Sequence, residues 1–248
     1  MPRRALVLGG GGALGAAVLE QLLASHRFER VGVLAQRALQ PALRGLEVVP
    51  DGDAAALARL APDTALIVFD RERGANGRDA AFVRVLPAEL ATRASALYAL
   101  GVRALLVVVP HTPALLPQAL KVGLATLDEG AVAAMDFEQL VFMRMAQAGG
   151  GGDDSPGSRL QRLAGWMLSQ LHWMVPQREQ PVRSATVARL AAAIAVALAG
   201  APRGTRVLPH EWLWHAAQGG DAGTLAEHWL AGLPPPAAAA VAASRQRW

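Results

Sequence analysis

The stretch from Ala5 to Val18, ALVLGGGGALGAAV, constrains this chain more than any other. Ala5 to Leu8 is an apolar run of strand length. Four glycines follow, then Ala13-Leu14-Gly15, then an apolar helical pattern through Val18, Leu19, Leu22 and Leu23. The glycines have separate tasks. Gly9 and Gly10 let the chain turn sharply off the strand. Gly12 leaves the backbone bare for a pyrophosphate, and Gly15 lets the helix pack close to the strand. The first helical amides, those of Ala13 and Leu14 included, have no partner within the helix and suit an anion. The run fits GxxGxxG through Gly9, Gly12 and Gly15, and GxGxxG through Gly10, Gly12 and Gly15. Between a strand and a helix, this spacing is a dinucleotide-binding fingerprint. A flexible glycine loop in an unrelated α/β protein would need neither flank.

The rest of the chain repeats the alternation. Strands are expected at Arg30–Ala35, Leu46–Val49, Thr64–Phe69, Arg103–Val109 and Gln139–Met143. Helices are expected after Asp51-Gly52-Asp53, over Leu86–Leu100, where Gly101 ends the helix, and over about Leu116–Ala134. Short connections between alternating strands and helices imply a parallel sheet with right-handed crossovers. The expected fold is a Rossmann-like, doubly wound α/β domain with strand order 3-2-1-4-5-6. A seventh strand near Arg206–Leu208 would extend it. Residues 1–146 form the dinucleotide-binding part. Residues 147–217 supply substrate-side helices and late strands, and 218–248 a helical tail. Ala148–Ser158 reads as a loop and Leu160–Trp173 as an amphipathic helix. Pro181–Arg183 reads as a short strand, followed by helices at Val187–Leu198, Glu211–Ala217 and Thr224–Leu230. The Ala-rich end fits either packing on a partner subunit, as in a homodimer, or fraying.

Composition removes several function classes. The chain has no cysteine, which excludes disulfides, thiolate metal sites and cysteine nucleophiles. That is compatible with a cytoplasmic protein, the expected location. Net charge is only +4, with no dense basic block or aromatic-interleaved basic stripe, so no nucleic-acid partner is expected. The apolar stretch Ala185–Gly200 is short for a membrane span and contains Arg189; it reads as a buried Ala-rich helix. The six histidines show no metal-ligand spacing, and His210 and His215 have no acid pair beside them except Glu211. No metal site is expected.

In the order of its parts the chain resembles the atypical short-chain dehydrogenase/reductase superfamily, over roughly Arg4–Trp214. The glycine turn carries the resemblance most specifically. Gly52-Asp53 stands where that family places an Asp near the adenine amino group. Pro181-Val182-Arg183-Ser184 leading into Val187-Ala188 is similar to its late strand-to-helix segment. The resemblance implies a nicotinamide dinucleotide cofactor and a small-molecule substrate of carbonyl type. Arg37, just past the second strand, stands where NAD-preferring sites carry an acid. An Arg there suits a 2′-phosphate, so NADP is expected over NAD. Arg37 reads equally as a solvated surface residue, and Asp53 as a helix N-cap; cap and ligand roles can coexist.

The catalytic part departs from the family. Its reductases use Tyr-x-x-x-Lys on the helix after the fifth strand, with a Ser near that strand's end. Here the segment is Pro117-Gln118-Ala119-Leu120-Lys121, so the Lys matches and Pro117 stands at the Tyr position. Proline cannot do general acid/base work. Lys121 is the only lysine among 24 cationic residues. In a chain so biased toward Arg, a retained Lys supplies a compact ammonium on a flexible stem, or survives by chance on an exposed helix face. The candidates for chemistry are Lys121, with a family role at the nicotinamide ribose, His111 as a substitute acid/base, and Thr112 as a hydrogen-bond donor in place of the Ser. Each of the last two reads as well as a plain loop residue. The chain's single tyrosine, Tyr98, has helical spacing that suggests packing. Trp212 and Trp214 read as core and rim packing. Two functions are therefore carried forward: an NADPH-favouring reductase-like protein, and a catalytically silent dinucleotide-binding sensor or partner-binding module. In a third reading the glycine turn binds another nucleotide or none.

Overall fold

The structure is a computed structural model and describes residues 3–37, 39, 43–70, 81–111, 127–146 and 183–236. Seven strands form one sheet: β1 (Arg4–Leu8), β2 (Arg30–Ala35), β3 (Leu46–Pro50), β4 (Thr64–Val68), β5 (Ala104–His111), β6 (Gln139–Ala146) and β7 (Gly204–Leu208). Their order is 3-2-1-4-5-6-7, and every pairing is parallel. The helices are α1 (Ala13–Ala24), α2 (Ala54–Leu60), α3 (Leu90–Ala99), α4 (Leu127–Ala133), α5 (Ser184–Ala197), α6 (His210–Ala217) and α7 (Ala222–Leu230). Short 3-10 turns, Pro87–Glu89 and Leu198–Gly200, precede α3 and follow α5.

The central strands carry continuous apolar runs, Ala5–Leu8, Ala65–Val68 and Ala104–Val109, because both sheet faces are covered. Ala5 and Val7 of β1, Leu66 and Val68 of β4, and Leu106 and Val108 of β5 pack under α1, α5, α6 and α7. The alternate residues, Leu6, Leu8, Ala65, Ile67, Leu105 and Val107, pack under α2, α3 and α4. The Ala-rich segment is α5, with Val187, Leu190, Ile194 and Ala195 buried. Its small side chains fit it closely against α1. Trp212 is buried, and Tyr98 lays its ring edge-on to Phe137 at 5.3 Å while remaining 46% exposed.

Two strands run farther than the sequence implies. β5 continues through Pro110 to His111, and β6 to Ala146, paired as Val109↔Arg144, Pro110↔Met145 and His111↔Ala146. Proline normally closes a strand because it removes a ladder donor. β4 ends at Val68, opposite Val108. Beyond that point β5 has β6 on one side only, and a missing N–H is tolerated. Arg183 is the extended N-cap of α5, not part of a strand. Of the long helix expected from Leu116, the described part is α4. The expected Ala148–Ser158 loop, the Leu160–Trp173 helix and the residues after Pro236 lie outside the described residues.

α1 covers one face and α2 and α3 the other, and the strand order reverses between β1 and β4, so the carboxyl ends of these strands form the switch point of the sheet. In open α/β sheets this is where ligands bind.

Candidate functional site

The glycine turn lies at this switch point, and Gly9, Gly10, Gly12 and Gly15 each have a steric reason. Gly9 has φ +88°, a conformation that favours glycine, and a Cβ there would strike the carbonyl of Val68. A side chain on Gly10 would meet Val33 of β2. Its contribution is clearance rather than an unusual backbone angle. Gly15 sits within α1 directly on the carbonyl oxygen of Gly9, so α1 seats tightly on the end of β1.

Gly12 is the N-cap of α1, in extended conformation, with no side chain to cap the helix. The space a Cβ would take there is filled by the carboxylate of Asp70. Asp70 lies two residues beyond β4, and its Oδ2 accepts a hydrogen bond from the Leu14 amide at 2.6 Å. Leu14 is the second residue of the helix, where an N-cap side chain normally bonds. The amino end of α1 thus already holds an oxyanion, supplied by the chain itself. A seat that takes a carboxylate suits a phosphate in charge and in acceptor chemistry.

Beside the turn, β2 ends at Ala35, followed by Gln36 and Arg37, both exposed. The Asp51 amide donates to Ala35 O at 2.7 Å, on the β3 side. Backbone groups of alternate residues point to opposite edges, so Leu34 and Gln36 face the side where β1 has already ended. Ala81–Val83 takes that edge. Gln36 N donates to Ala81 O at 2.9 Å, and Val83 N donates to Leu34 O at 3.0 Å. Ala35 and Phe82 form an antiparallel bridge.

At the end of β3, Asp53 caps α2, its Oδ1 accepting from the Ala56 amide at 2.9 Å. Asp51 holds Arg93 of α3 through two bonds of 2.8 and 3.0 Å. The hydrogen bonding that Arg93 donates to Asp51 pushes the guanidinium pKa above its ordinary value. The turn after β3 is therefore tied to α3.

His111 is the last residue of β5, at the same carboxyl edge as the glycine turn. Thr112, Pro117 and Lys121 lie outside the described residues. Gly9, Gly10, Gly12, Ala13, Leu14, Gly15, Arg37 and Asp53 all lie at the ends or starts of elements along this edge. Two features escaped the sequence reading. One is Asp70. The register Leu8↔Ile67 brings the residues after β4 beside those after β1, so strand order with register could have found it. The other is a buried ion pair, Arg144 on β6 to Glu129 on α4 at 2.6 Å, with side chains 6% and 4% exposed. Its signal was an Arg within the apolar run QLVFMRMA.

A groove of about 600 Å³ lies at the opposite, amino-terminal edge, lined in part by Arg3, Arg4, Asp63 and Glu138. There Arg3 donates to the carbonyls of Ala195 and Val196 at the end of α5, at 2.9 and 2.7 Å. These are structural bonds, and burial pulls the Arg3 pKa below its usual value. Among the described residues no group of His, Asp or Glu side chains is arranged to hold a metal ion, and no helix is long and apolar enough to cross a membrane.

No protein-family model and no curated sequence matches the chain. Solved structures similar to it include the Bordetella bronchiseptica enzyme WbmG in complex with NAD and UDP, 16% identical over 95% of this chain and 81% of that one, with TM-score 0.49. A UDP-glucose 4-epimerase from Brucella ovis in complex with NAD is 17% identical over 84% and 77%, with TM-score 0.47. A Burkholderia thailandensis oxidoreductase of the short-chain dehydrogenase/reductase family is 16% identical over 94% and 98%, with TM-score 0.45. The fold itself is the Rossmann-like α/β sheet that the strand order defines.

Proposed function

We propose that this chain is an NAD(P)-binding, oxidoreductase-like protein that favours NADPH and acts on a small carbonyl-type substrate. The observation that carries the proposal is the glycine turn at the switch point, with an oxyanion on the Leu14 amide in the first turn of α1. In this reading the amides of Ala13 and Leu14 take the pyrophosphate and Gly12 gives it room. Asp53 faces the adenine amino group, Arg37 pairs with the 2′-phosphate, and Lys121 holds the nicotinamide ribose. The cofactor supplies a hydride. His111 provides or takes the accompanying proton, and Thr112 donates a hydrogen bond to the substrate oxygen.

A second reading follows from Pro117. With the family's Tyr position occupied by a residue that cannot move a proton, the chain binds dinucleotide without turning it over, as a sensor or partner-binding module. General acid catalysis is typically worth about 10²–10⁴-fold, so the two readings separate by rate.

The test is a titration of NADPH and NADH by calorimetry, then NADPH consumption over a panel of aldehydes and ketones. A charge-assisted bond from Arg37 is worth about 1.5–3 kcal/mol, so NADPH should bind at least about tenfold tighter than NADH. Arg37→Ala should erase most of that gap. Equal affinities in the parent protein remove Arg37 from the site. His111→Ala should lose most of the turnover, and turnover in the parent should fall as pH rises and the imidazole gives up its proton. Lys121→Met should weaken cofactor binding in either reading. Intact binding with no turnover selects the silent protein.

A further inference from the structure

The anion seat of α1 and the open edge of β2 are both taken by the chain itself. Asp70 places its carboxylate in the space beside Gly12 and on the Leu14 amide. That amide is one a pyrophosphate oxygen would need. It cannot serve two acceptors well, and two anions in van der Waals contact repel strongly where water is displaced. Independently, Ala81–Val83 bonds to Leu34 and Gln36 along the edge that β1 leaves free. In the reading above, the adenosine half of the cofactor passes this edge on its way from Gly12 to Arg37. Phe82 packs against the core shared by α1 and Val33, so the stretch is seated rather than merely near.

We infer that Asp70 and Ala81–Val83 are internal occupants of the dinucleotide site, and that Asp70 sets cofactor affinity by holding the phosphate seat until it is displaced. The inference rests on the nucleotide reading of the glycine turn. Only the fraction of molecules with the seat vacated binds ligand, so the apparent affinity is the intrinsic one reduced by that fraction.

The experiment uses the full chain and four proteins: the parent, Asp70→Asn, Asp70→Ala and Val83→Pro. Asp70→Asn keeps an acceptor oxygen for Leu14 without the charge, which guards against a variant that fails to fold. Val83→Pro removes the N–H that Leu34 accepts. Circular dichroism checks the fold. Inorganic pyrophosphate and NADPH are titrated separately by calorimetry and by the shift in melting temperature. Both Asp70 variants should bind pyrophosphate at least about tenfold tighter than the parent, and NADPH likewise. Val83→Pro should gain affinity for NADPH only, because pyrophosphate has no adenosine to meet the β2 edge.

Equal pyrophosphate affinity in the parent and both Asp70 variants would overturn the inference and leave Asp70 a structural cap. Weaker NADPH binding in the Asp70 variants would overturn it too, making Asp70 a cofactor holder while the nucleotide reading stood. A gain for pyrophosphate with no NADPH binding by any protein would uphold Asp70 as occupant of the seat and sink the dinucleotide reading. An unchanged NADPH affinity in Val83→Pro would remove Ala81–Val83 from the inference.

Discussion

The amino ends of α1 and α7 answer the same demand by different routes. Each helix starts with amides that have no partner inside the helix. At α7 the answer is local. Asp221 is the N-cap, and its carboxylate accepts from the Thr224 amide at 2.8 Å and the Thr224 hydroxyl at 2.9 Å. At α1 the N-cap is Gly12, and the acceptor is Asp70, 56 positions beyond the Leu14 amide it bonds. A local cap moves with its helix and serves only that helix. A remote cap ties the helix to a neighbouring strand, and it fills a seat that another anion could take. The bare Gly12 gives up intrinsic capping for an exchangeable acceptor.

Gly15→Val should produce the largest effect, and it destroys one side of this contrast. A side chain there meets the Gly9 backbone, which has no flexible end to yield. α1 would be lifted off β1, and its amino end would no longer meet Asp70. The expected loss is about 3 kcal/mol or more, read as a large fall in melting temperature or failure to fold. A variant that melts like the parent would show that α1 does not depend on this close approach.

Asp70→Ala should cost less, about 1.5–3 kcal/mol, the range for a charge-assisted bond. Urea melts should show a lower midpoint with an unchanged slope. Asp53→Ala should cost about 1 kcal/mol, as for a local cap. The contrast sharpens on adding pyrophosphate. It should restore stability to Asp70→Ala by occupying the vacated seat, and should leave the deficit of Asp53→Ala where it was. Equal responses would mean that remoteness has no consequence for ligand access.

The same contrast separates what the sequence made legible from what it did not. β2 falls at Arg30–Ala35 as its apolar run implies, and β1 and β4 lie within a residue of expectation. Strands buried on both faces leave continuous apolar runs, and Asp53 stands three residues before the amide it bonds. Both signals are local. The strand order also followed, because alternating strands and helices around a glycine turn admit few topologies. The carboxyl ends of β5 and β6 were missed because Pro110 reads as a stop unless one knows that β4 has already ended beside it. Asp70, just past β4, carries no local sign of its bond to the Leu14 amide. Its role depends on the register of β1 against β4, which no local pattern encodes. The pair Glu129–Arg144 is likewise an encounter between a helix and a strand fifteen positions apart.

Asp221→Ala is the smallest change and tests the local side of the comparison. Asp221 is exposed, so its removal should cost only about 0.5–1 kcal/mol. Hydrogen bonds from the Thr224 amide, then the Thr224 hydroxyl, hold its carboxyl below the usual carboxylate pKa. A carboxyl whose folded value is depressed stabilises the fold fully above its unfolded value, about 3.9. That contribution is lost as pH falls through the lower folded value. Melting temperatures of the parent and Asp221→Ala should therefore differ at neutral pH, keep that difference down to about pH 4, and converge below it. Asp221→Asn should lie between the two at neutral pH, since it keeps an acceptor and loses the charge. A difference that persists undiminished in strong acid would mean that the cap works through geometry alone. None of these variants should alter pyrophosphate or NADPH binding, because α7 packs on α5 rather than at the strand ends. A change in ligand affinity at Asp221→Ala would break the distinction between a cap that serves its helix and one that occupies a site.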